Sequence, residues 1–272
     1  MQTKIFGDVT PIDWQALGIK MPFAPMHQLA EKYELQQKSW DHTRYINESH
    51  AIAYIKDLNR TFESNWTYPH ISLDELQYRI HHRVINTIEA LNQAAPDTIC
   101  INLGGGFHHA QKYPNTGYAY SLINDHIWAT DYQLELYNNI RIAIWDIDFH
   151  YAGGSVEYYK NHQQVQVLSE HHPLKGVLYK HRPFKAQGLG CYALDLDTVD
   201  KVLLNLGTDY SQEDKLFGEY AWYDRAWVMA FWKNTINYIL SRQKPLAVTF
   251  GGSYGDTGLS MYEELIAFLQ AL

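Results

Sequence analysis

The sequence predicts an α/β protein, a mainly parallel sheet with helices on both faces, folded as one domain over residues 1–272. Three observations predict it. Four short runs are apolar almost without interruption, as parallel strands buried on both faces require. Stretches with apolar residues at helical spacing lie between or beside them. Each run ends in a cluster of glycine and polar residues, and functional groups in such sheets gather at the carboxyl ends of the strands.

The elements follow in order. Ser72-Leu73-Asp74-Glu75 is a capping box, and Leu76, Ile80, Val84, Ile88 and Leu91 behind it carry the helical period. A strand over Thr98–Leu103 leads into Gly104-Gly105-Gly106-Phe107-His108-His109-Ala110. The run Ile140–Ile147 leads through Asp146-Ile147-Asp148-Phe149-His150, and Val202–Leu206 leads into Gly207-Thr208-Asp209. An aromatic-rich helix is expected over Glu219–Leu240. The last strand, Leu246–Phe250, runs into Gly251-Gly252-Ser253-Tyr254, and Ser260 with Glu263 opens a short final helix. No repeat, low-complexity tract or flexible linker interrupts the series, so no domain boundary is expected.

Composition narrows the function. With 22 Lys plus Arg against 30 Asp plus Glu, the net charge is −8. An acidic balance argues against a nucleic-acid partner, which needs a basic face to offset phosphates. No run approaches the roughly 18 apolar residues of a membrane span, and the N-terminus lacks the apolar core of a signal peptide. No membrane partner is therefore expected, and the cytoplasm is the expected compartment. Cys100 and Cys191 form no CxxC pair, and Cys100 reads as a buried thiol.

The polar clusters carry the chemistry. Residues two apart on a strand share a face, so Asp146, Asp148 and His150 point one way if the strand continues through them. Two carboxylates and an imidazole in a buried stripe need a cation or hydrogen bonds to compensate them. Asp209, at the end of the next run, could supply a further ligand to an oxygen-rich metal site open to water and a substrate carbonyl. His108 and His109 follow a glycine turn, and imidazole is the side chain matched to proton transfer near neutral pH. His81-His82 and His171-His172 have no such turn and read as surface or helix features. Tyr254 offers a phenol that can donate to a developing oxyanion.

In this order the motifs resemble the histone deacetylase superfamily, which includes bacterial acetylpolyamine amidohydrolases and shares the arginase-deacetylase fold. The matching segments are Gly105–Ala110, Asp146–His150, Gly207–Asp209 with Asp214 and Gly218 following, and Gly251–Tyr254. Gly117-Tyr118 stands where the family has a Gly-aromatic pair, and Met21–His27 and His50–Ile55 are similar to segments of bacterial, class IV-like members. The resemblance implies a three-layer arginase-deacetylase-like fold and hydrolysis of an amide that joins an acyl group to a small amine or a lysine. It implies that Asp148, His150 and Asp209 hold zinc, with ferrous iron as the alternative. His109 would take the proton of a water, His108 would assist electrostatically with Asp146 orienting it, and Tyr254 would stabilise the oxyanion. Phe107, Gly117, Tyr118 and Gly252 would contact substrate, and a structural monovalent cation is admitted near Asp146.

Three departures from the family pattern stand out. Tyr151-Ala152-Gly153-Gly154 replaces the usual His-Gly-Asp/Asn-Gly, so Gly153 stands where the partner of the second catalytic histidine is expected. That leaves His109 less well positioned, or Glu157 or a water to take its place. The segment from Gly188 to Asp209 is shorter than usual, which would expose surface that a homo-oligomer contact could cover. The segment from Gly117 to Asp125 is longer, which would remodel the tunnel rim. Two other functions stay open: an inactive relative that binds metal and ligand, and a binuclear ureohydrolase of the arginase type.

Overall fold

The computed structural model describes residues 1–7, 26–36, 73–109, 124–170 and 194–272, with backbone alone over 73–81. Six strands form one parallel sheet: β1 (Gln2–Phe6), β2 (Thr98–Asn102), β3 (Ile142–Ile147), β4 (Val165–Ser169), β5 (Lys201–Leu206) and β6 (Leu246–Phe250). Their spatial order is β1-β2-β6-β5-β3-β4. The four central strands are therefore β2, β6, β5 and β3, the same four that end in the sequence motifs. The sheet gathers those motifs side by side at one edge.

Alternation along each strand sends side chains to two helical layers. On one face Phe6, Cys100, Leu203 and Ala247 pack against α2 (Leu73–Gln93) and α3 (Asp125–Leu136) through Val84, Ile88, Leu91 and Trp128. The helical period over Val84, Ile88 and Leu91 is thus borne out, with all three buried. On the other face Ile101, Trp145, Leu204 and Val248 meet α5 (Arg225–Ser241) and α6 (Asp256–Gln270) through Trp232, Ile236, Tyr262 and Leu265. The short α1 (Met26–Ala30) joins this second layer through Leu29 and Ala30. Tyr262 lies flat on Phe250, with centroids 4.0 Å apart, and donates to the Leu206 carbonyl at 2.9 Å. Burial pushes the Cys100 thiol up to about 12, which leaves it protonated and unreactive.

Several elements differ from expectation. The edge strands β1 and β4 were not expected. Their burial patterns are mixed, unlike the fully buried β2, β3 and β6, so neither makes a continuous apolar run. The helices α3 and α4 (Gly153–Tyr159) were not expected either: α3 is buried nearly all round its first nine residues, which erases an amphipathic signal. The aromatic helix begins at Arg225 rather than Glu219, because the Asp224 side chain accepts from the Trp227 N–H and caps it there. The last helix opens four residues earlier than Ser260, after Gly255 at φ +83°. Among the described residues no helix is long and apolar enough to cross a membrane.

Candidate metal centre

The third strand stops at Ile147, so Asp148 and His150 do not share a strand face as expected. A turn brings them together instead: Asp148 Oδ1 accepts the His150 backbone N–H at 2.9 Å and lies 3.2 Å from His150 Nδ1. Asp209 arrives from the 3-10 turn Thr208–Tyr210 after β5, with Oδ2 3.0 Å from His150 Nδ1. Ligand atoms of Asp148, His150 and Asp209 all lie within 4.8 Å of one another. Both carboxylates are buried, while the His150 side chain keeps 26% of its surface exposed. The centre thus opens toward solvent through its imidazole.

Glycines make room for this crowding. A Cβ at Gly252 would strike the Asp209 carboxylate and come within 3.0 Å of Asp148 Oδ2. The Gly252 N–H donates to Asp148 Oδ2 at 2.9 Å, and its carbonyl accepts the Asp209 N–H at 3.2 Å. The residue expected to touch substrate therefore spends its backbone on the Asp148 carboxylate and the Asp209 main chain.

The histidine pair stands beside them. His108 Nδ1 is 2.8 Å from Asp146 Oδ2, and its Nε2 is 3.2 Å from His109 Nε2 and 3.6 Å from Asp148 Oδ1. Burial alone would push the His108 imidazole down, but the Asp146 and Asp148 carboxylates carry it up to about 9. Burial and the neighbouring His108 push His109 down to about 2. One ring is thus held as a cation and the other as a neutral base. For His150, burial is outweighed by hydrogen bonds to Asp148 and Asp209, which raise it to about 10. Burial raises Asp209, and the Asp148 charge raises it further. Among the described residues no lysine or arginine pairs with Asp146, Asp148 or Asp209, so the countercharge for these buried carboxylates comes from imidazoles. A donor set of two carboxylates and one imidazole, so placed, fits a divalent cation.

Gly153 is not the partner of His109, and neither is Glu157, which points outward to an ion pair with Lys160 at 3.0 Å. His109 instead hydrogen-bonds the Tyr151 backbone in a way that favours the protonated ring, so the carbonyl accepts. The same carbonyl accepts the Gly153 N–H at 2.7 Å. A main-chain acceptor stands where a carboxylate was expected.

Tyr254 is tied in by Asp214, whose Oδ2 accepts the Tyr254 N–H at 3.1 Å while Oδ1 accepts from Leu216 and Phe217 at 2.9 Å. The Phe217 ring meets Tyr254 edge-on at 5.2 Å and His150 edge-on at 4.6 Å. It joins the two sides of the site, and nothing in the motif spacing singled it out. Phe107 is half-buried beneath the Arg83 guanidinium, 5.1 Å from the ring centroid, with its N–H donated to Asp125 Oδ1 at 2.7 Å. Also missed were Asn124 and Asp125 at the start of α3. Asn124 Nδ2 donates to the His108 carbonyl at 3.1 Å, and Asp125 Oδ2 accepts the Gly106 N–H at 3.1 Å. An Asn-Asp pair opening a helix was the available signal.

A model of the histone deacetylase domain matches residues 24–184, more than half of the chain. The chain belongs to the histone deacetylase domain family. That match contains the histidine pair and the Asp-x-Asp-x-His segment but ends before Asp209 and Tyr254, which the fold brings to the same place. Curated relatives include histone deacetylase HDAC1 of Drosophila melanogaster, 36% identical over 30% of this chain and 15% of its own length. Putative histone deacetylase 2 of Caenorhabditis elegans is 27% identical over 57% of this chain and 34% of its own length. The chain thus spans about a third or less of these two relatives. Among solved structures, an HDAC homolog from Aquifex aeolicus superposes with a TM-score of 0.67 at 16% identity, covering 100% of this chain and 84% of that one. An HDAC homolog complexed with SAHA gives the same TM-score at 17% identity and the same coverage. At such identities the likeness carries the fold, and the three-layer arginase-deacetylase-like architecture is borne out. Gly117, Tyr118, residues 21–25, 50–55, 171–172 and 188–192, and the capping Ser72 lie outside the described residues.

Proposed function

We propose that this chain is a metal-dependent hydrolase that removes an acyl group from an amine. The observation that carries it is the convergence of Asp148, His150 and Asp209 within 4.8 Å, beside a histidine pair joined at 3.2 Å. Asp148, His150 and Asp209 would hold zinc or ferrous iron. When bound, such an ion supplies Lewis acidity toward an amide carbonyl and brings the pKa of a water to roughly 7. Asp146 Oδ1 has no hydrogen-bond partner among the described residues, which suits a monovalent cation alongside.

The chain's own residues divide the remaining work. His109, held neutral, takes the proton of the attacking water, and the Tyr151 carbonyl keeps its ring oriented. His108, held as a cation between Asp146 and His109, stabilises the negative charge that develops on the former carbonyl oxygen. The Tyr254 hydroxyl donates to that oxygen from the other side. Breaking the C–N bond then needs a proton on the leaving amine, which His109 returns. The products are a carboxylate and a free amine. Phe107 and Phe217 offer apolar walls for the chain that carries the acylated nitrogen. A small acylated amine is the favoured substrate over an acyl-lysine in a peptide, with no nucleic-acid or membrane partner, and the cytoplasm as compartment.

The test is release of carboxylate by metal-loaded protein from acetylpolyamines, acetyl-lysine peptides and longer acyl amines. Turnover that falls on substituting His109 and Tyr254 separately supports the reading, and no release from any of the three classes refutes it. Elemental analysis is expected to find one catalytic-type ion per chain, where a ureohydrolase would hold two.

A further inference from the structure

Four buried polar side chains lie side by side across the sheet on the α2–α3 face, where apolar residues would be expected. Asn102 on β2 is in register with Thr249 on β6, Thr249 with Asn205 on β5, and Asn205 with Asp146 on β3. All are fully buried, as is His126 in the first turn of α3. Three of them form a continuous chain of hydrogen bonds with His126. His126 Nε2 is 2.9 Å from Thr249 Oγ1, Thr249 Oγ1 donates to Asn205 Oδ1 at 3.0 Å, and Asn205 Nδ2 donates to Asp146 Oδ2 at 3.0 Å. Asp146 Oδ2 is also the atom that meets His108 Nδ1 at 2.8 Å.

Chemistry sets the direction of every bond in this chain. A carboxylate only accepts, so Asn205 must turn its amide nitrogen to Asp146 and its oxygen to Thr249. The Thr249 hydroxyl, with one proton, must give it to that oxygen and therefore accepts from His126 Nε2–H. His126 Nδ1 accordingly has no partner among the described residues. Flipping the Asn205 amide would place oxygen against carboxylate and leave the hydroxyl with a second donor facing it. The chain thus has one satisfied arrangement. In it Asp146 Oδ2 can receive only N–H groups, one from Asn205 and one from His108 Nδ1, and the His108 ring is left with Nε2 directed at His109.

Packing holds the chain against the catalytic loops as well. A Cβ on Gly106, at φ +92°, would lie 2.7 Å from Asn205 Oδ1, and one on Gly251 would lie 2.8 Å from Asn205 Nδ2. The asparagine therefore fills the space beneath both glycine turns.

We propose that His126, Thr249 and Asn205 are positioning residues of the hydrolase, fixing through Asp146 the orientation of His108 from the α3 side of the sheet. The proposal rests on the hydrolase reading for its kinetic consequence, and on geometry alone for its structural one. Thr249 is the residue to test, because it touches neither His108 nor the three candidate metal ligands. Thr249→Val keeps the shape and loses the hydroxyl, Thr249→Ala loses both, and Thr249→Ser keeps the hydroxyl.

Two readouts are taken on the metal-loaded protein. With an acylated amine, Thr249→Val and Thr249→Ala are expected to lower kcat about tenfold with KM unchanged, the scale on which partners that orient a functional histidine act. Thr249→Ser is expected to stay within about twofold of wild type on the same basis. In spectra of 15N-histidine-labelled protein, the His108 Nδ1–H signal, assigned by its loss in His108→Gln, should shift or broaden in the Val and Ala variants and persist in the Ser variant. Equal kcat losses in the Ser and Val variants would assign the effect to packing and overturn the proposal, as would a Val variant with wild-type kcat and spectrum. A wild type with no turnover would refute the hydrolase reading instead, and the histidine spectra would then decide the relay by themselves.

Discussion

Gly252→Ala is the sharpest test of the metal centre, because the substitution adds one methyl group and removes no functional group. The added Cβ would collide with the Asp209 carboxylate and stand 3.0 Å from Asp148 Oδ2, so at least one carboxylate must swing away. Displacing the oxygens of a three-residue donor set should weaken divalent metal about a hundredfold, the upper end for groups that orient ligands. Linkage turns that into a melting shift. At a free zinc concentration of 100 Kd, binding stabilises the wild type by about 2.7 kcal/mol, and the variant under the same conditions by about 0.4 kcal/mol. A chain of 272 residues unfolds with an entropy of about 0.6 kcal/mol/K, so zinc should raise the wild-type Tm by about 5 °C and the variant Tm by less than about 1 °C. Thermal melts with and without zinc, and a zinc titration against a chromophoric chelator, measure both numbers. A variant that binds zinc as tightly as wild type would show that Asp148 and Asp209 do not hold it, and the metal assignment would fall.

Three further outcomes follow from the same geometry. Tyr254→Phe keeps the ring against Phe217 and removes only the hydroxyl, so kcat should fall about 10²–10³-fold with metal affinity and Tm unchanged, which turnover assays and melts would check. Asp125→Ala strands the Gly106 and Phe107 N–H groups and the Thr87 hydroxyl, and should lower stability by about 2–5 kcal/mol in chemical denaturation. In metal-free protein, His108 and His150 are raised to about 9 and about 10, so the folded state holds protons that the unfolded chain releases above its ordinary imidazole range. Their contribution is complete below about pH 6.5 and should be lost as pH rises toward 9–10, at up to about 1.4 kcal/mol per pH unit for each group. His109 is lowered to about 2 and acts with the opposite sign, removing stability as pH falls below about 6.5. Asp209 is raised as well, so its contribution fades as pH rises toward neutrality and offsets that of His109. Denaturation midpoints across pH 5–10, with and without zinc, should therefore fall on the alkaline side of neutrality, and less steeply when metal displaces the His150 proton.

The central strands were legible in the sequence because a strand buried on both faces has to be apolar along its whole length, and the Leu246–Phe250 limits coincide with the observed β6. Strands at the sheet edges answer to no such requirement. Gln2–Phe6 and Val165–Ser169 each leave residues partly exposed, and neither is apolar along its whole length. The candidate metal ligands were legible as residue types but not as geometry. Strand alternation was the physical reason expected for Asp148 and His150, yet the strand ends before them and a side-chain-to-backbone turn does the work. The support for His109 was illegible by its nature, since a backbone carbonyl leaves no residue signature. Gly153 showed only that the usual side-chain partner is absent, because side chains are what a sequence displays.

The row from Asn102 to Asp146 shows where sequence reading of a buried strand stops. Within β5, Val202 to Leu206 reads as apolar with one asparagine, and within β6 Thr249 is one threonine among aliphatic and aromatic residues. Each alone is a residue that a core tolerates if a partner is found. Only strand register brings Asn205 level with Thr249 on one side and Asp146 on the other. Only the α3 docking angle sets His126 over Thr249. Burying these groups unpaired would cost several kcal/mol, and pairing them fixes a single direction of donation ending at Asp146, the acceptor for His108. A fold that needed stability alone would be served as well by apolar residues of the same volume at Asn205 and Thr249. Retaining a directed chain in the driest layer of the sheet makes sense if its end point, the His108–Asp146 pair, must be held in one state.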